Sequence, residues 1–221
     1  NIFNPSYPDP GINGATAPSN QYLWSDALVL PAANRISLGV DRTVSKNGRL
    51  SASYTRGWGV GLLRGRNLNA PVAGVRPNPS FANTVELASG ASSRSQAVSM
   101  NYSLVRMDMK RMFFTLNYTW SKSDTNTTGA FSIPASGDNL ESEWGPTGGD
   151  IRHRVGASFN MAPITNVSVG INFRGLSGMP FNITTGRDDN ADGLASDRPV
   201  GVSRNSARGA AQLDLGGRVS Y

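Results

Sequence analysis

The stretch MFFTLNYTWSK, residues 112–122, alternates apolar and polar side chains. Every even position from Met112 to Trp120 is apolar or aromatic, and the odd positions carry small polar groups except at Phe113. A period of two predicts a β-strand with one apolar face and one polar face. The stretch is as long as the ~9–11 residues that a tilted strand needs to cross a bilayer, whereas soluble strands mostly span ~5–6. We therefore expect the apolar face to contact lipid and the polar face to line a barrel.

The same alternation recurs along the chain and predicts about seven strands. They cover residues 35–44, 49–58, 94–105, 112–122, 151–161, 166–175 and 211–221. The connections between them are alternately short and long, and the first contains the hairpin signal Asn47-Gly48. In an antiparallel up-and-down meander, this alternation collects the short turns at one end and the long loops at the other.

Outer-membrane barrels have this asymmetry, with short periplasmic turns and long extracellular loops. The sequence therefore predicts an all-β chain that forms part of a transmembrane β-barrel in the outer membrane of a Gram-negative bacterium. Residues 1–33 are expected to form an irregular extracellular segment, and residues 34–221 the partial barrel. A soluble β domain, secreted or displayed at the cell surface, is the alternative.

Composition supports this class and excludes others. Only 16% of the residues are charged, 25 are Gly and none is Cys. The net charge of +6 is spread singly along the chain, whereas a nucleic-acid-binding protein would carry a basic stripe. The chain starts without Met and ends inside an alternating pattern, so we expect a fragment of a longer protein.

Three aromatic residues support the membrane interpretation. Trp58, Trp120 and Phe173 lie on the apolar parity, each where a predicted strand meets a long loop. Aromatic rings are enriched at the membrane–water interface. We expect these residues to form an outer aromatic girdle, although aromatic residues could equally cap a soluble core.

No arrangement of residues predicts catalysis. His153, the single histidine, stands between two arginines, with no serine and acid placed to complete a triad. Glu141 and Glu143 form a carboxylate pair in a predicted loop, which is a weak signal. Phosphate-binding loops and Cys/His metal spacings are absent from the sequence. The sequence therefore predicts a non-enzymatic protein.

One segment resembles the opening of a calcium-binding loop. Residues 188–193 read D-D-N-A-D-G, which places the oxygens of Asp188, Asn190 and Asp192 at alternate positions. The match ends there, because Pro199 stands where a closing Glu is expected. The segment predicts a calcium site, with a solvated acidic turn as the alternative.

Five arginines fall on the polar parity of the predicted strands. They are Arg35, Arg152, Arg154, Arg174 and Arg218. Guanidinium groups in a lumen could hydrogen-bond anionic or sugar-like cargo or an acidic plug. The alternative is internal pairing with Asp41 and Asp214.

Several short motifs resemble those of a known family. They are RNLNAP at 66–71, LNYTWSK at 116–122, EWGP at 143–146, DIRHR at 150–154, SGMPFNITTG at 177–186, DRP at 197–199 and RN at 204–205. In this order they resemble the C-terminal barrel of TonB-dependent receptors, in particular the Oar-like group with an N-terminal carboxypeptidase-regulatory-like domain. The resemblance covers the chain from about Arg35 onward.

The resemblance implies a plugged barrel of about 22 strands that imports an iron chelate, cobalamin or a glycan. It also implies two partners, outer-membrane lipid and a TonB complex that supplies energy. The sequence departs from the family pattern because it contains no plug domain, TonB box or terminal strand. Two other functions remain open: a surface protein for glycan binding or adhesion, and a stand-alone passive pore.

Overall fold

The computed structural model describes residues 18–72, 74–108, 111–135 and 140–221. The first part of the predicted irregular segment, residues 1–17, lies outside these ranges. All regular structure within them is β-strand, which confirms the all-β class. No helix in the described part of the chain has the length and hydropathy to span a membrane.

Eleven strands occur among the described residues. In chain order they are β1 (Gln21–Trp24), β2 (Ala32–Ser45), β3 (Gly48–Asn67), β4 (Thr84–Arg106), β5 (Met112–Thr125), β6 (Gly145–Pro146), β7 (His153–Ile164), β8 (Val167–Leu176), β9 (Pro180–Phe181), β10 (Ala207–Arg208) and β11 (Gln212–Ser220). The seven long strands form one sheet in the order β11-β8-β7-β5-β4-β3-β2, with every neighbouring pair antiparallel. The predicted up-and-down meander is therefore confirmed.

The connections alternate in length as the sequence predicts. The short connections are residues 46–47, the described residues 107–108 and 111, and residues 165–166, where Asn166 takes the left-handed conformation, with φ 65°. The long connections are named loop A (68–72 and 74–83), loop B (126–135 and 140–152) and loop C (177–211). In this meander the three long loops share one end of the sheet, called here the loop end.

Two strands are much longer than the sequence predicts, and the four short strands β1, β6, β9 and β10 were not predicted. β3 and β4 continue through residues 59–67 and 84–93, where an irregular loop is expected. Register shifts between Gly59 and Leu63, with Gly61 at φ 64°, break the alternation in this region. β1 pairs in parallel with β4, so the expectation of an irregular segment up to residue 33 is wrong for β1 and for the start of β2.

The apolar face of the sheet is not covered by a second layer of protein. Leu38 is 69% exposed, Ile171 45% and Leu215 78%. All five buried apolar residues among the described positions lie near the loop end: Val85, Leu87, Ala88, Ala91 and Ile151. The sheet therefore has no water-excluded core beneath its apolar side chains, as expected for a surface that meets hydrocarbon.

Candidate functional site

The polar face of the sheet forms one half of the candidate site. Hydroxyl and amide groups face each other across the strands, as in the pairs Ser99–Thr119, at 3.2 Å, and Asn101–Asn117. Polar-parity side chains from β5, β7 and β8 line a cavity of about 380 Å³. A second cavity of about 240 Å³ is lined from β2 to β5. Polar side chains such as Asn117 and Thr119 line both cavities.

The arginines on this face are only partly neutralised. Arg152 forms an ion pair with Asp150 at 2.8 Å, and Arg154 Nη1 donates to Ser121 Oγ at 3.1 Å. Arg35, Arg174 and Arg218 make no ion pair with any described residue.

The alternative of pairing with Asp41 and Asp214 is wrong for these arginines. Asp41 is 3.8 Å from Arg49 and accepts a hydrogen bond from Ser51. Asp214 lies opposite Arg174 in the strand register, yet it forms no ion pair within the described part of the chain. Several guanidinium groups on the polar face are therefore available to an anionic ligand.

The three long loops form the other half of the candidate site and pack against one another. Loop A contacts loop C, because Asn83 Nδ2 donates to the carbonyl of Asp192 at 2.7 Å. Loop C contacts loop B through the Arg198–Glu143 ion pair at 2.7 Å, in which both side chains are 8% exposed. The loops therefore form one packed body at the loop end.

Arg204 lies at the centre of the contact between loops B and C. Its side chain is among the most buried of the described residues, with 2% exposure. The guanidinium donates to the carbonyls of Thr127, at 3.1 Å, Gly145, at 3.4 Å, and Thr125. Burial lowers the pKa of Arg204 from its ordinary value. The three carbonyls replace the lost water as acceptors.

Asp150 anchors the same loops to the sheet. Its carboxylate accepts hydrogen bonds from Ser123 N at 3.0 Å, from Arg152 at 2.8 Å and from Arg208 at 2.5 Å. The side chain is fully buried. One carboxylate thus joins β5, the end of loop B and β10. The DIRHR motif contains Asp150, but its partner Arg208 lies 58 residues away, and sequence reasoning missed it.

The segment predicted to bind calcium forms a compact turn in loop C. Asp188 Oδ1 accepts from Asp192 N at 2.9 Å, and Asp188 Oδ2 accepts from Gly193 N at 2.8 Å. Asp197 Oδ2 accepts from the amides of Asp189, at 2.6 Å, and Asn190, at 3.0 Å. The motif residues Asp188, Asn190 and Asp192 therefore lie close together, and the side-chain oxygens of Asp188 and Asn190 accept hydrogen bonds from backbone amides.

Asp192 is 4% exposed, and burial raises the pKa of its carboxyl group. The described residues contain no group of three or more His, Cys, Asp or Glu side chains able to hold a metal ion. A calcium site at Asp188, Asn190 and Asp192 stays a prediction.

Two of the residues considered for catalysis are in contact with other side chains. His153 Nδ1 is 2.8 Å from the hydroxyl of Tyr118 on the apolar face. Glu143 is buried in its ion pair with Arg198.

Among the predicted girdle residues, Trp58 lies within the longer β3, so the prediction that it ends a strand is wrong. Trp120 likewise lies inside its strand, because β5 continues to Thr125; it is on the apolar face, opposite Val98 and His153.

A long antiparallel meander with an exposed apolar face, a polar face and packed loops at one end defines an outer-membrane β-barrel wall. The sequence agrees with this class. A family model described as an outer membrane beta barrel domain matches residues 1–217, and the chain belongs to this family. The protein is therefore located in the outer membrane.

A solved structure shares this fold. It is the crystal structure of the outer membrane transporter YddB from Escherichia coli, with a TM-score of 0.60 and 11% sequence identity. The alignment covers 92% of this chain and 28% of the transporter, so the chain spans less than a third of that protein's length. Among curated proteins, none matches the sequence.

Proposed function

We propose that this chain forms part of the barrel wall and outer loops of a TonB-dependent receptor of the Oar-like group. The receptor imports a small anionic or sugar-like nutrient, of the class of iron chelates, cobalamin or glycans. Its function requires no catalysis by this chain. A soluble secreted adhesin, the second class considered, would have no use for an outer-membrane barrel domain.

One observation carries the proposal: packed polar loops lie at the end of a polar face that carries arginines without an ion pair to the described residues. A passive pore needs a polar lumen but gains nothing from loops locked together by buried ion pairs such as Arg198–Glu143. A receptor gains affinity from such packing, because a preorganised site loses less conformational entropy on binding. The resemblance of the short motifs to TonB-dependent receptors points the same way.

The unpaired arginines identify the class of cargo. Arg174 and Arg218 lie on the polar parity of β8 and β11, close to the amide group of Asn172. Guanidinium groups recognise carboxylates and phosphates through paired hydrogen bonds, and amides bind hydroxyl groups of sugars. This lining suits a carboxylate-bearing chelate or an acidic sugar better than an apolar compound.

Uptake by living cells tests the proposal. Radiolabelled cobalamin, ferric chelates and acidic oligosaccharides are offered to cells with the intact gene, to cells lacking it and to cells lacking TonB. We expect uptake of one cargo to be lost in both deletion strains. Uptake that needs the gene but continues without TonB would identify a passive pore and contradict the proposal.

A variant pair then tests the role of the polar face. The double substitution Arg174→Gln and Arg218→Gln is expected to weaken binding of the anionic cargo by about tenfold or more, because hydrogen bonds to charged groups contribute about 1.5–3 kcal/mol each. Arg42→Gln is the control, since Arg42 lies on the apolar parity of β2. Equal affinities for the wild type and the double variant would exclude these arginines from the site.

A further inference from the structure

The apolar face of the sheet ends, toward the loop end, in two rows of charged and polar residues. The strand register aligns Trp58, Arg94 and Asp124 in one row. The next row, further from the loops, aligns Arg56, Gln96 and Lys122. Below them lies a purely apolar and aromatic row of Tyr54, Val98 and Trp120. The lipid-facing surface therefore changes from apolar to basic within two rows.

The three basic side chains project from the lipid-facing side and not into the lumen. Arg56 stands two residues from both Tyr54 and Trp58 on β3, and residues two apart share a face of a strand. The same spacing joins Lys122 to Trp120 on β5. Arg56, Arg94 and Lys122 are named here the basic patch.

The basic patch is only partly neutralised by the protein. Lys122 is 3.5 Å from Asp124, which is the one acidic residue in the two rows. The guanidinium of Arg94 lies 5.0 Å from the ring centroid of Trp144, which orients it without neutralising it. Arg56 has no ion pair or hydrogen bond with the described part of the chain. A surplus of positive charge therefore faces the surroundings of the barrel.

The surface beside the patch is shaped to hold part of a ligand. A cavity of about 700 Å³ is lined by backbone and side chains of β2, β3 and β4. Its lining includes Arg56 and Arg94 together with the apolar groups of Ile36, Trp58 and Val60. Cationic and apolar groups in one depression fit a molecule that has an anionic head and hydrocarbon chains.

The depth of the patch in the membrane decides what that molecule is. A charged side chain is costly at the midplane of the bilayer, but the cost almost vanishes near the interfaces. Aromatic rings such as those of Tyr54 and Trp120 sit at headgroup depth, and the patch lies immediately beyond them toward the long, outer loops. Lipid phosphate groups lie at this depth.

We propose that the basic patch binds the phosphate groups of an anionic glycolipid in the outer leaflet. The acyl chains of this lipid lie along the apolar row below the patch. Arg56 and Arg94 hold phosphate oxygens through paired hydrogen bonds, and Lys122 adds a point charge. The lipid is a structural partner of the barrel wall, and its binding is independent of the cargo.

Retention of lipid A, a phosphorylated glycolipid, tests the proposal in the intact protein purified from outer membranes in mild detergent. Native mass spectrometry follows its displacement by excess detergent for the wild type and for the triple variant Arg56→Gln, Arg94→Gln and Lys122→Gln. Each basic side chain near an anionic lipid surface contributes roughly fivefold to affinity. We expect the triple variant to bind lipid A about 100-fold more weakly.

The matched control removes the same charge from the other face. The variant Arg154→Gln, Arg174→Gln and Arg218→Gln is expected to retain lipid A as the wild type does. Equal loss from both variants would indicate attraction to overall charge and would overturn the proposal, as would full retention by the first variant. Wild-type protein offered lipid A without its phosphates provides a measurement free of folding effects: the expected result is weak binding, and unchanged binding contradicts the proposal.

Discussion

Arg204 is the residue on which the packing of loops B and C depends most directly. A buried guanidinium is costly to desolvate, and this cost is offset only while its hydrogen bonds are made. The carbonyls of Thr125, Thr127 and Gly145 accept those bonds and lose them if the arginine is removed. The hydrogen bonds of Arg204 therefore hold loop C against loop B.

Replacing Arg204 by Ala is expected to open loops B and C. Hydrogen bonds to charged groups contribute about 1.5–3 kcal/mol each, and part of this is returned because the charge is no longer buried. We expect a net loss of about 2–4 kcal/mol. Hydrogen exchange at the amide of Asn205, which is bonded to Asn182, should then accelerate by about 30-fold or more. Arg187→Ala, at a 79% exposed side chain of the same loop, should leave exchange unchanged.

Asp192 is expected to make the stability of loop C depend on pH. Burial raises the pKa of this carboxyl group in the folded loop, so folding favours its protonated form. The resulting stabilisation is fully present below the ordinary Asp pKa of about 3.9 and is lost as pH rises through the higher folded value. We therefore expect the difference in stability between the wild-type loop and the Asp192→Asn variant to change with pH. The wild type should be less favoured in this comparison at neutral pH than in acid.

Hydrogen exchange at Gly193, corrected for intrinsic rates, measures this difference. Asp189→Asn is the control, because Asp189 is 44% exposed. A wild-type loop that gains stability over Asp192→Asn between acid and neutral pH would contradict the account. Repeating the series with added calcium tests the predicted site, because a bound cation favours the ionised carboxylate and reverses the trend.

At the scale of single residues, the sequence indicated contacts between residues that are close together in the chain, but not contacts between distant residues. The D-x-N-x-D-G spacing predicted a calcium site, with a solvated acidic turn as the alternative, and the structure forms a turn there with hydrogen bonds between residues two to five apart. The partners of Arg204 lie 59 to 79 residues away, and Asp150 meets Arg208 across 58 residues. No pattern within a short window carries such information, so the motifs that contain Asp150 and Arg204 did not reveal their contacts.

At the scale of elements, prediction succeeded wherever side chains alternate without interruption. β5 is predicted to within a few residues because its even positions stay apolar without interruption from Met112 to Trp120. The extensions of β3 and β4 were missed because the bulge near Gly61 moves side chains between faces. On the loop-end side of this bulge, Val85 and Leu87 are buried by protein. The alternation of lipid-facing and lumen-facing residues that is typical of a membrane strand therefore does not hold in this part of β4.

The extension of β3 provides a test of how loop B is held. Gly65 leaves no room for a side chain, since a Cβ there would lie 2.6 Å from the carbonyl oxygen of Ser132. Gly65→Ala is therefore expected to push loop B off the strand and destabilise this contact by about 1–3 kcal/mol. Protease cleavage within loop B should become faster than in the wild type.

Gly156→Ala is the matched control for this experiment. Gly156 is also a strand glycine, but a Cβ added to it would meet nothing within 4 Å. The control should be cleaved at the wild-type rate. If both variants behave alike, loop B is not held by its close approach to β3.

At the scale of the whole molecule, the sheet gives its two faces different environments. Apolar residues are exposed along several neighbouring strands, among them Leu38 at 69%, Leu116 at 39% and Ile171 at 45%, and so extended an apolar patch is expected of a surface that lipid covers. The polar face meets water and cargo, while the basic patch marks the outer boundary of the hydrocarbon. The alternation in the sequence predicted the faces, the meander and the sorting of loops, but not how the loops pack.

Single-cysteine labelling along β5 tests this two-faced arrangement most directly. The chain contains no native cysteine, so one cysteine at a time can be placed at residues 114–119 and spin-labelled in the membrane-embedded protein. Accessibility to oxygen, which partitions into lipid, should peak at Phe114, Leu116 and Tyr118, and accessibility to a water-soluble nickel reagent at Thr115, Asn117 and Thr119. Equal accessibility at both parities, or the opposite phase, would contradict a lipid-facing apolar face.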